Sequence, residues 1–254
     1  MTIKAFLSIV FSKIIGYKNS LWIKNAVYYQ EKTLLYLVKK SKRTKFGKDH
    51  GFSKIKSYSD WKKRVPIRDY EGLSGYVEDL KSGGENVLWP GKPIYFCKTS
   101  GTTSGSKYIP ISKESMPYHI KAARDAILSY IAETKNSSIV RGKMIFLQGS
   151  PKLNSVGGVL TGRLSGIVAH HVPSYLKKNR LPSYKTNCID DWEKKLDSIV
   201  NETLHERMSL ISGIPPWVQM YFEKIKSKTN KNIGDVFPCF NLFIYGGGNF
   251  SPYK

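Results

Sequence analysis

The sequence predicts an α/β fold, a layered arrangement of helices on a largely parallel sheet, with a mainly helical segment ahead of it. From Pro93 onward, short apolar runs alternate with helical periodicities, which is typical of parallel β-α units. Before that point, apolar residues recur at helical spacing, and Gly and Pro mark the breaks. We therefore divide the 254 residues into a helical lead-in at 1–92 and an α/β part at 93–254.

The N-terminus carries an apolar stripe, which comprises Ile3, Phe6, Leu7, Val10, Phe11, Ile14 and Ile15. Its spacing predicts an amphipathic helix that packs on the body of the protein. A secretory signal or a membrane-surface anchor is the alternative, but Lys13 interrupts the apolar run and no small-residue cleavage site follows. No stretch approaches the roughly 20 apolar residues that a membrane span requires. After a break at residues 16–18, a second helix is expected over 20–42.

Caps, prolines and apolar runs predict the remaining elements. Ser57 starts a short helix that Pro66 ends, and another helix is expected at 70–81. The glycine-bearing stretch 155–162 is expected to be a loop. Strands are expected at 94–97, 108–111, 144–148, 208–212 and 242–245, and helices at 112–133, 190–205 and 215–228.

The net charge of +22 raises the question of a nucleic-acid partner. The lysines are scattered and interleaved with acids, and the clusters at 39–43 and 224–231 lie at expected helix ends, where cations are favourable. We therefore expect a solvated lysine-rich surface and no nucleic acid, with a basic nucleic-acid-binding module as the alternative. The three cysteines are far apart and odd in number, which argues against a disulfide framework and indicates reduced thiols in a cytoplasm.

One segment carries a strong chemical signal: Thr99, Ser100, Gly101, Thr102, Thr103, Ser104, Gly105, Ser106 and Lys107. Its glycines let the backbone approach a bulky anion, its N–H and hydroxyl groups can donate to phosphate oxygens, and Lys107 adds a positive charge. A Walker A loop does not fit, because Gly105 comes one position early and Tyr108 replaces the final hydroxyl. A flexible turn is the plain alternative, although a hairpin needs only about two to five loop residues.

Residues 99–107 resemble the phosphate loop of adenylate-forming enzymes. Four segments in order resemble the auxin-responsive promoter family of acyl-acid amido synthetases in its bacterial form. We call them the first to fourth motifs: Arg-Thr-Lys-Phe-Gly at 43–47, Val-Pro-Ile-Arg-Asp-Tyr-Glu at 65–71, Glu-Asn-Val-Leu-Trp-Pro-Gly at 85–91 and Lys-Tyr-Ile-Pro at 107–110.

The resemblance implies an ATP-dependent, two-step ligase with Mg²⁺. A carboxylic acid attacks the α-phosphate of ATP and forms an acyl-adenylate, and an amine such as an amino acid then displaces AMP. It further implies that Thr99, Ser100, Gly101, Thr102, Thr103, Gly105 and Lys107 contact the phosphates, and that Gly246, Gly247 and Gly248 lie against the adenine. For these last glycines a tight turn is the alternative.

The resemblance also implies an incomplete, N-terminal part of the adenylate-forming fold. The family's second ATP motif, its ribose-binding aspartate and its small C-terminal domain with the catalytic lysine would follow Tyr253. No catalytic residue and no metal ligand is therefore assigned, and the fragment alone is expected to be inactive; an inactive remnant of the ligase is a further alternative. His170 and His171 lack partner ligands at metal spacing, and residues 69–71 are interpreted as the start of a helix.

Overall fold

The structure, a computed structural model, describes residues 3–99 and 106–246. The chain forms two compact units, each with one four-stranded sheet. The parallel-sheet unit comprises Met1–Gly16, Ala122–Lys152 and Val168–Lys254, and the mixed-sheet unit comprises Tyr17–Lys121 and Leu153–Ile167.

The described helices are α1 (Ile3–Lys24), α2 (Ala26–Ser41), α3 (Lys45–Asp49), α4 (Tyr58–Arg64), α5 (Ser74–Lys81), α6 (Met116–Thr134), α7 (Leu164–His170), α8 (Ser174–Lys177), α9 (Tyr184–Asn187), α10 (Trp192–Thr203), α11 (Pro215–Thr229) and α12 (Ile233–Val236). Short 3-10 helices lie at Phe52–Lys54, Glu71–Leu73 and Ser138–Val140. The described strands are β1 (Tyr95–Lys98), β2 (Tyr108–Ile111), β3 (Lys143–Phe146), β4 (Asn154–Val156), β5 (Val159–Gly162), β6 (Arg180–Leu181), β7 (Met208–Ser212) and β8 (Leu242–Ile244).

The parallel sheet has the strand order β6-β3-β7-β8, and every neighbouring pair is parallel. This confirms the α/β fold class and the largely parallel sheet that the sequence predicts. The helices α10 and α11 supply much of its core, because Ile199, Tyr221 and Ile225 are buried with Ile211 of β7. Asp191 caps α10 by accepting a hydrogen bond from Lys194 N–H, which gives that helix its sharp start.

The mixed sheet has the order β2-β1-β5-β4, with β1 antiparallel to β2 and parallel to β5. Its core brings Phe96 of β1 together with Leu80 of α5. The predicted loop at 155–162 is wrong, because β4 and β5 form an antiparallel hairpin there. Gly157 and Gly158 turn it with φ values of 55° and 76°, a region that glycine adopts without a steric penalty. The strands β4 and β5 are too short to show the alternation of apolar and polar residues by which a strand is predicted.

The N-terminal prediction is wrong in two respects. The helix α1 continues through Gly16, and the break falls at Asn25 instead. Of the predicted inward stripe only Ile15 is buried, whereas Ile3 is 79% exposed and Phe11 is 56% exposed. The buried positions of α1 are Ala5, Ser12 and Ile15. Within the described part of the chain, no helix is both long enough and apolar enough to cross a bilayer.

Candidate functional site

The antiparallel strands β1 and β2 flank the hydroxyl-rich segment in the chain and form a hairpin. Lys98 pairs with Tyr108, and the ladder extends one step further, because Thr99 N–H donates to the Lys107 carbonyl over 3.0 Å. The predicted arrangement of strand, loop and strand is therefore confirmed at both ends of the segment. The residues Ser100, Gly101, Thr102, Thr103, Ser104 and Gly105 lie outside the described residues, so their phosphate contacts stay predictions.

Lys107 stands where the second strand begins, at the mouth of the hairpin. Its Nζ lies 3.4 Å from Glu71 Oε1, and its side chain is 33% exposed. The same ammonium lies 5.1 Å from the centroid of the Tyr70 ring, a distance that permits a cation–π interaction. The positive charge is thus held in one place while it remains accessible from solvent.

Tyr70 also fixes the backbone beside that charge. Its hydroxyl accepts a hydrogen bond from Tyr108 N–H over 2.8 Å. Tyr70 and Glu71, which we call the hairpin clamp, therefore hold two consecutive residues of the second strand, Lys107 and Tyr108. The 3-10 helix at Glu71–Leu73 confirms the interpretation of residues 69–71 as a helix start, and the clamp is a role that the sequence did not indicate.

A second cation lies next to the hairpin. The Lys81 Nζ stands 4.8 Å from the centroid of the Tyr108 ring, which packs edge-on against Phe96. The carboxylate of Glu78 accepts a hydrogen bond from Lys81 over 2.7 Å, and this contact raises the pKa of Lys81 above its usual value. The contact therefore favours the charged form of Lys81 and holds its ammonium group in place.

The first and third motifs meet in the same unit. Lys45 N–H and Phe46 N–H, at the start of α3, donate to the carbonyls of Asn86 and Val87 over 2.8 and 3.0 Å. The third motif thereby satisfies N–H groups that the first turn of a helix leaves without partners. Asn86 has a φ of 56°, and its side-chain oxygen accepts a hydrogen bond from Gly91 N–H over 2.9 Å.

The second motif connects these contacts with the clamp. An Arg68 nitrogen lies 3.0 Å from His50 Nε2, and His50 Nδ1 lies 2.8 Å from the Phe46 carbonyl. Tyr76 of α5 donates to an Asp49 carboxylate oxygen over 2.8 Å, and burial followed by this hydrogen bond raises the pKa of Tyr76. The four motifs therefore form one continuous framework that ends at the mouth of the hairpin.

Burial favours the neutral forms of two further titratable side chains, His171 and Cys97. The His170 Nε2 lies 2.8 Å from the Pro151 carbonyl, and burial and then the neighbouring His170 lower the pKa of His171, which favours its neutral form. Burial raises the pKa of the Cys97 thiol, which favours the protonated form. Within residues 3–99 and 106–246, no group of three or more His, Cys, Asp or Glu residues could hold a metal ion.

The predicted adenine-side glycines follow β8. Gly246 is exposed, and an added Cβ would meet nothing within 4 Å. Gly247 and Gly248 lie outside the described residues. Close to Gly246 in the chain, the Ile244 carbonyl accepts a hydrogen bond from Gly213 N–H over 3.2 Å, at the carboxyl ends of two parallel strands. Ligands of α/β folds commonly bind at this edge of the sheet, which is compatible with the adenine contact that the resemblance implies. That contact stays a prediction.

Comparison with solved structures finds the same fold in two acyl acid amido synthetases. The GH3.15 acyl acid amido synthetase matches with a TM-score of 0.67 at 13% sequence identity, over 89% of this chain and 42% of that chain. The AtGH3.15 acyl acid amido synthetase in complex with 2,4-DB matches with a TM-score of 0.63 at 15% identity, over 83% of this chain and 39% of that one. The chain thus spans about two fifths of the length of these proteins.

The sequence model of the GH3 family N-terminal domain matches residues 20–188. The chain therefore belongs to the GH3 family, and the resemblance inferred from the motifs is confirmed. The match includes the four motifs, the clamp and the hairpin segment, whereas Gly246 lies beyond it. No curated protein sequence matches the chain significantly.

Proposed function

We propose that this chain is the ATP phosphate-binding part of an acyl-acid amido synthetase, which activates a carboxylic acid as an acyl-adenylate and joins it to an amine such as an amino acid. The observation that carries the proposal is the clamped base of the hairpin, where Lys107 and Tyr108 are held by Tyr70 and Glu71. Family motifs build this base, and it flanks the segment whose glycines and hydroxyls suit phosphate oxygens.

The clamp allows Lys107 to exchange one anion, the Glu71 carboxylate, for another, a polyphosphate. Adenylate formation needs positive charge and hydrogen-bond donors on the departing pyrophosphate, and it is mostly a matter of positioning. The Glu71 side chain is 54% exposed, and an exposed ion pair contributes only about 0–1 kcal/mol. A polyphosphate can therefore take Lys107 from Glu71 at small cost, while the Tyr70 hydroxyl still holds the strand.

ATP and Mg²⁺ are the cofactors of the proposed reaction. Thr99, Ser100, Gly101, Thr102, Thr103 and Gly105 would donate to the phosphates with Lys107, and residues 246–248 would face the adenine. Mg²⁺ commonly binds substrate phosphates with one or two carboxylates and waters, so it needs no dedicated cluster of protein ligands. Bound there, it would offset charge on the phosphates. We place the enzyme in the cytoplasm, in keeping with the three unpaired cysteines.

The decisive experiment is acid-dependent ATP–pyrophosphate exchange, measured in a protein of family length that carries this chain as its N-terminal part. We expect Lys107→Ala to lower exchange by about 100-fold or more, the usual effect of removing one interaction with the transition state. Lys92→Ala is the matched control, because its Nζ also lies 3.4 Å from a carboxylate, that of Glu85, outside the hairpin. The control should leave exchange unchanged.

Two outcomes would contradict the proposal. If neither Lys107→Ala nor Thr102→Ala changed exchange, the hairpin would have no part in the reaction. If the unaltered protein showed no exchange with any acid, it would be an inactive remnant of the ligase. The 254-residue chain alone is expected to release no pyrophosphate, and release with any acid would contradict its role as one part of the catalyst.

A further inference from the structure

The outward face of α1 has no assigned role in the proposed function. Six large apolar side chains, which we call the outer stripe, are exposed there by 40% to 79%: Ile3, Phe6, Leu7, Val10, Phe11 and Ile14. Their spacing places them on one side of the helix. Contiguous apolar surface of this kind on a folded protein usually marks an interaction site.

The helix is attached to its own unit by the opposite face, which carries small residues. Ala5 and Ser12 are buried together with Ile15. A Cβ added at Gly16 would lie 3.6 Å from the Ala132 Cβ, so α1 and α6 approach closely there. Because these small residues seat the helix, the large apolar side chains are free to bind something else.

The charges around the stripe indicate what binds. At roughly 100° of rotation per residue, Lys4 and Lys13 fall at the two opposite edges of the stripe. Both are exposed, and Lys4 Nζ lies 3.5 Å from Asn179 Oδ1. No acidic residue precedes Glu31 in the chain. Lysines at the border of an apolar surface can extend their ammonium groups to lipid headgroups while their aliphatic stems stay with the apolar side chains.

We propose that the outer stripe of α1 binds an anionic lipid surface, with its apolar side chains among the acyl chains and with Lys4 and Lys13 at the headgroups. This inference is independent of the proposed ligase activity. The lysine edges are complementary to anionic lipid, whereas in a second copy of the chain they would face like charges.

The test uses the 254-residue chain and sedimentation with vesicles of phosphatidylcholine, with and without phosphatidylglycerol. We expect binding at least tenfold tighter to the anionic vesicles, weakening as salt rises. Phe6→Ser combined with Phe11→Ser should reduce binding by about tenfold or more, since each phenylalanine contributes much buried apolar area. Ile67→Ser is the matched control, because that side chain is fully exposed outside α1, and it should leave binding unchanged.

A second pair of variants separates the charge contribution from the apolar one. Lys4→Gln with Lys13→Gln should remove the preference for anionic vesicles, whereas Lys226→Gln with Lys231→Gln should preserve it. These surface changes leave the helix core intact, and circular dichroism will show whether the variants are folded. Absent binding, or equal binding to both vesicle types, would overturn the proposal.

Two other occupants of the stripe have distinct signatures. If light scattering shows a dimer that Phe6→Ser with Phe11→Ser converts to a monomer, a second copy covers the stripe and the proposal is wrong. If a thiol introduced by Phe11→Cys resists labelling in a protein of family length without vesicles, the remainder of that protein covers it, and the proposal is again wrong. Rapid labelling that vesicles suppress would support the lipid site.

Discussion

Gly47 of the first motif allows α3 to follow α2 closely. A Cβ added at this position would lie 2.1 Å from the carbonyl oxygen of Ser41, the last residue of α2. The Gly47 N–H also donates to Thr44 Oγ1 over 3.0 Å, so Thr44 caps α3. The obstructing atom belongs to the backbone and cannot rotate away, so any side chain here must push two helices apart.

We expect Gly47→Ala to lower the free energy of unfolding by about 1–3 kcal/mol, the usual range for overpacking a tight site. The matched control is Gly75→Ala in α5, where an added Cβ would meet nothing within 4 Å. That change should not lower the free energy of unfolding, because the site is open and alanine favours a helix over glycine. Urea denaturation measures both values, and an equal effect of the two substitutions would contradict the packing argument.

For single residues, the sequence predicted which side chains make up the hairpin segment, but it did not predict the contacts that hold the base of the hairpin. The hydroxyl and glycine composition of residues 99–106 is local, so the position of Lys107 at the end of the segment follows directly from the sequence. Its partner Glu71 and the Tyr70–Tyr108 hydrogen bond could not be predicted, because these contacts join residues that are far apart in the chain and follow no period.

Elements with strong local signals agree with their predictions. The strands β2 and β7 have the predicted bounds, Ser57 caps α4 as predicted, and Pro215 starts α11. The prediction is wrong where the signal is weak or misleading. The β4–β5 hairpin is too short to show alternation, and Gly16 suggests a break because a helix tolerates glycine only at a cost of about 1 kcal/mol.

Glu202 on α10 ties α9 to that helix. Its carboxylate accepts hydrogen bonds from Ser183 N–H and Ser183 Oγ over 2.7 Å each, and another from Thr186 Oγ1. Burial acts to raise the pKa of Glu202, but the hydrogen bonds from Thr186 and Ser183 outweigh it and hold the pKa below its usual value. The folded chain therefore favours the ionised carboxylate.

A lowered pKa stabilises the fold above the pKa of the unfolded chain, and this stabilisation is lost as the pH falls through the lower folded value. We expect Glu202→Gln to lower the free energy of unfolding by about 1–2 kcal/mol at neutral pH. The difference from the unaltered chain should shrink below about pH 4. Glu223→Gln is the control, because that exposed glutamate of α11 accepts one hydrogen bond, from Gln219. A difference that stays constant to lower pH would contradict the assignment.

For the whole molecule, the alternation of strands and helices was enough to predict the parallel sheet. Such alternating helices and strands bury their apolar faces against one another in layers. The return of the chain to the mixed sheet at Leu153–Ile167 was not predictable, because β4 is largely exposed and carries little apolar signal. The net charge of +22 is a property of the same scale, and it bears on partners and not on the fold.

The charge is densest, among the clusters noted in the sequence, at the end of α2. There a shallow depression of about 440 Å³ is lined by Tyr36, Lys39, Lys40, Lys42 and Arg43. Scattered lysines and short basic clusters suit contacts to DNA phosphates, which carry no sequence information. Reading a sequence requires side chains that reach the base edges in a groove. We therefore still expect no nucleic-acid partner, and only the weak, sequence-independent attraction of a basic surface for DNA, with a Kd of about 10⁻⁴–10⁻⁶ M at physiological salt.

Fluorescence anisotropy with duplexes of unrelated sequence, measured over a range of salt concentrations, checks this expectation. The affinity should fall steeply with salt, and Lys39→Gln with Lys40→Gln should reduce the salt slope by about one for each phosphate that the variant no longer neutralises. The same two substitutions should leave acid-dependent ATP–pyrophosphate exchange in the family-length protein unchanged, because neither residue belongs to the hairpin or its clamp. Binding that prefers one sequence and persists at physiological salt would instead favour a nucleic-acid-binding module. The basic surface would then serve to recognise DNA, and not only to keep the protein solvated.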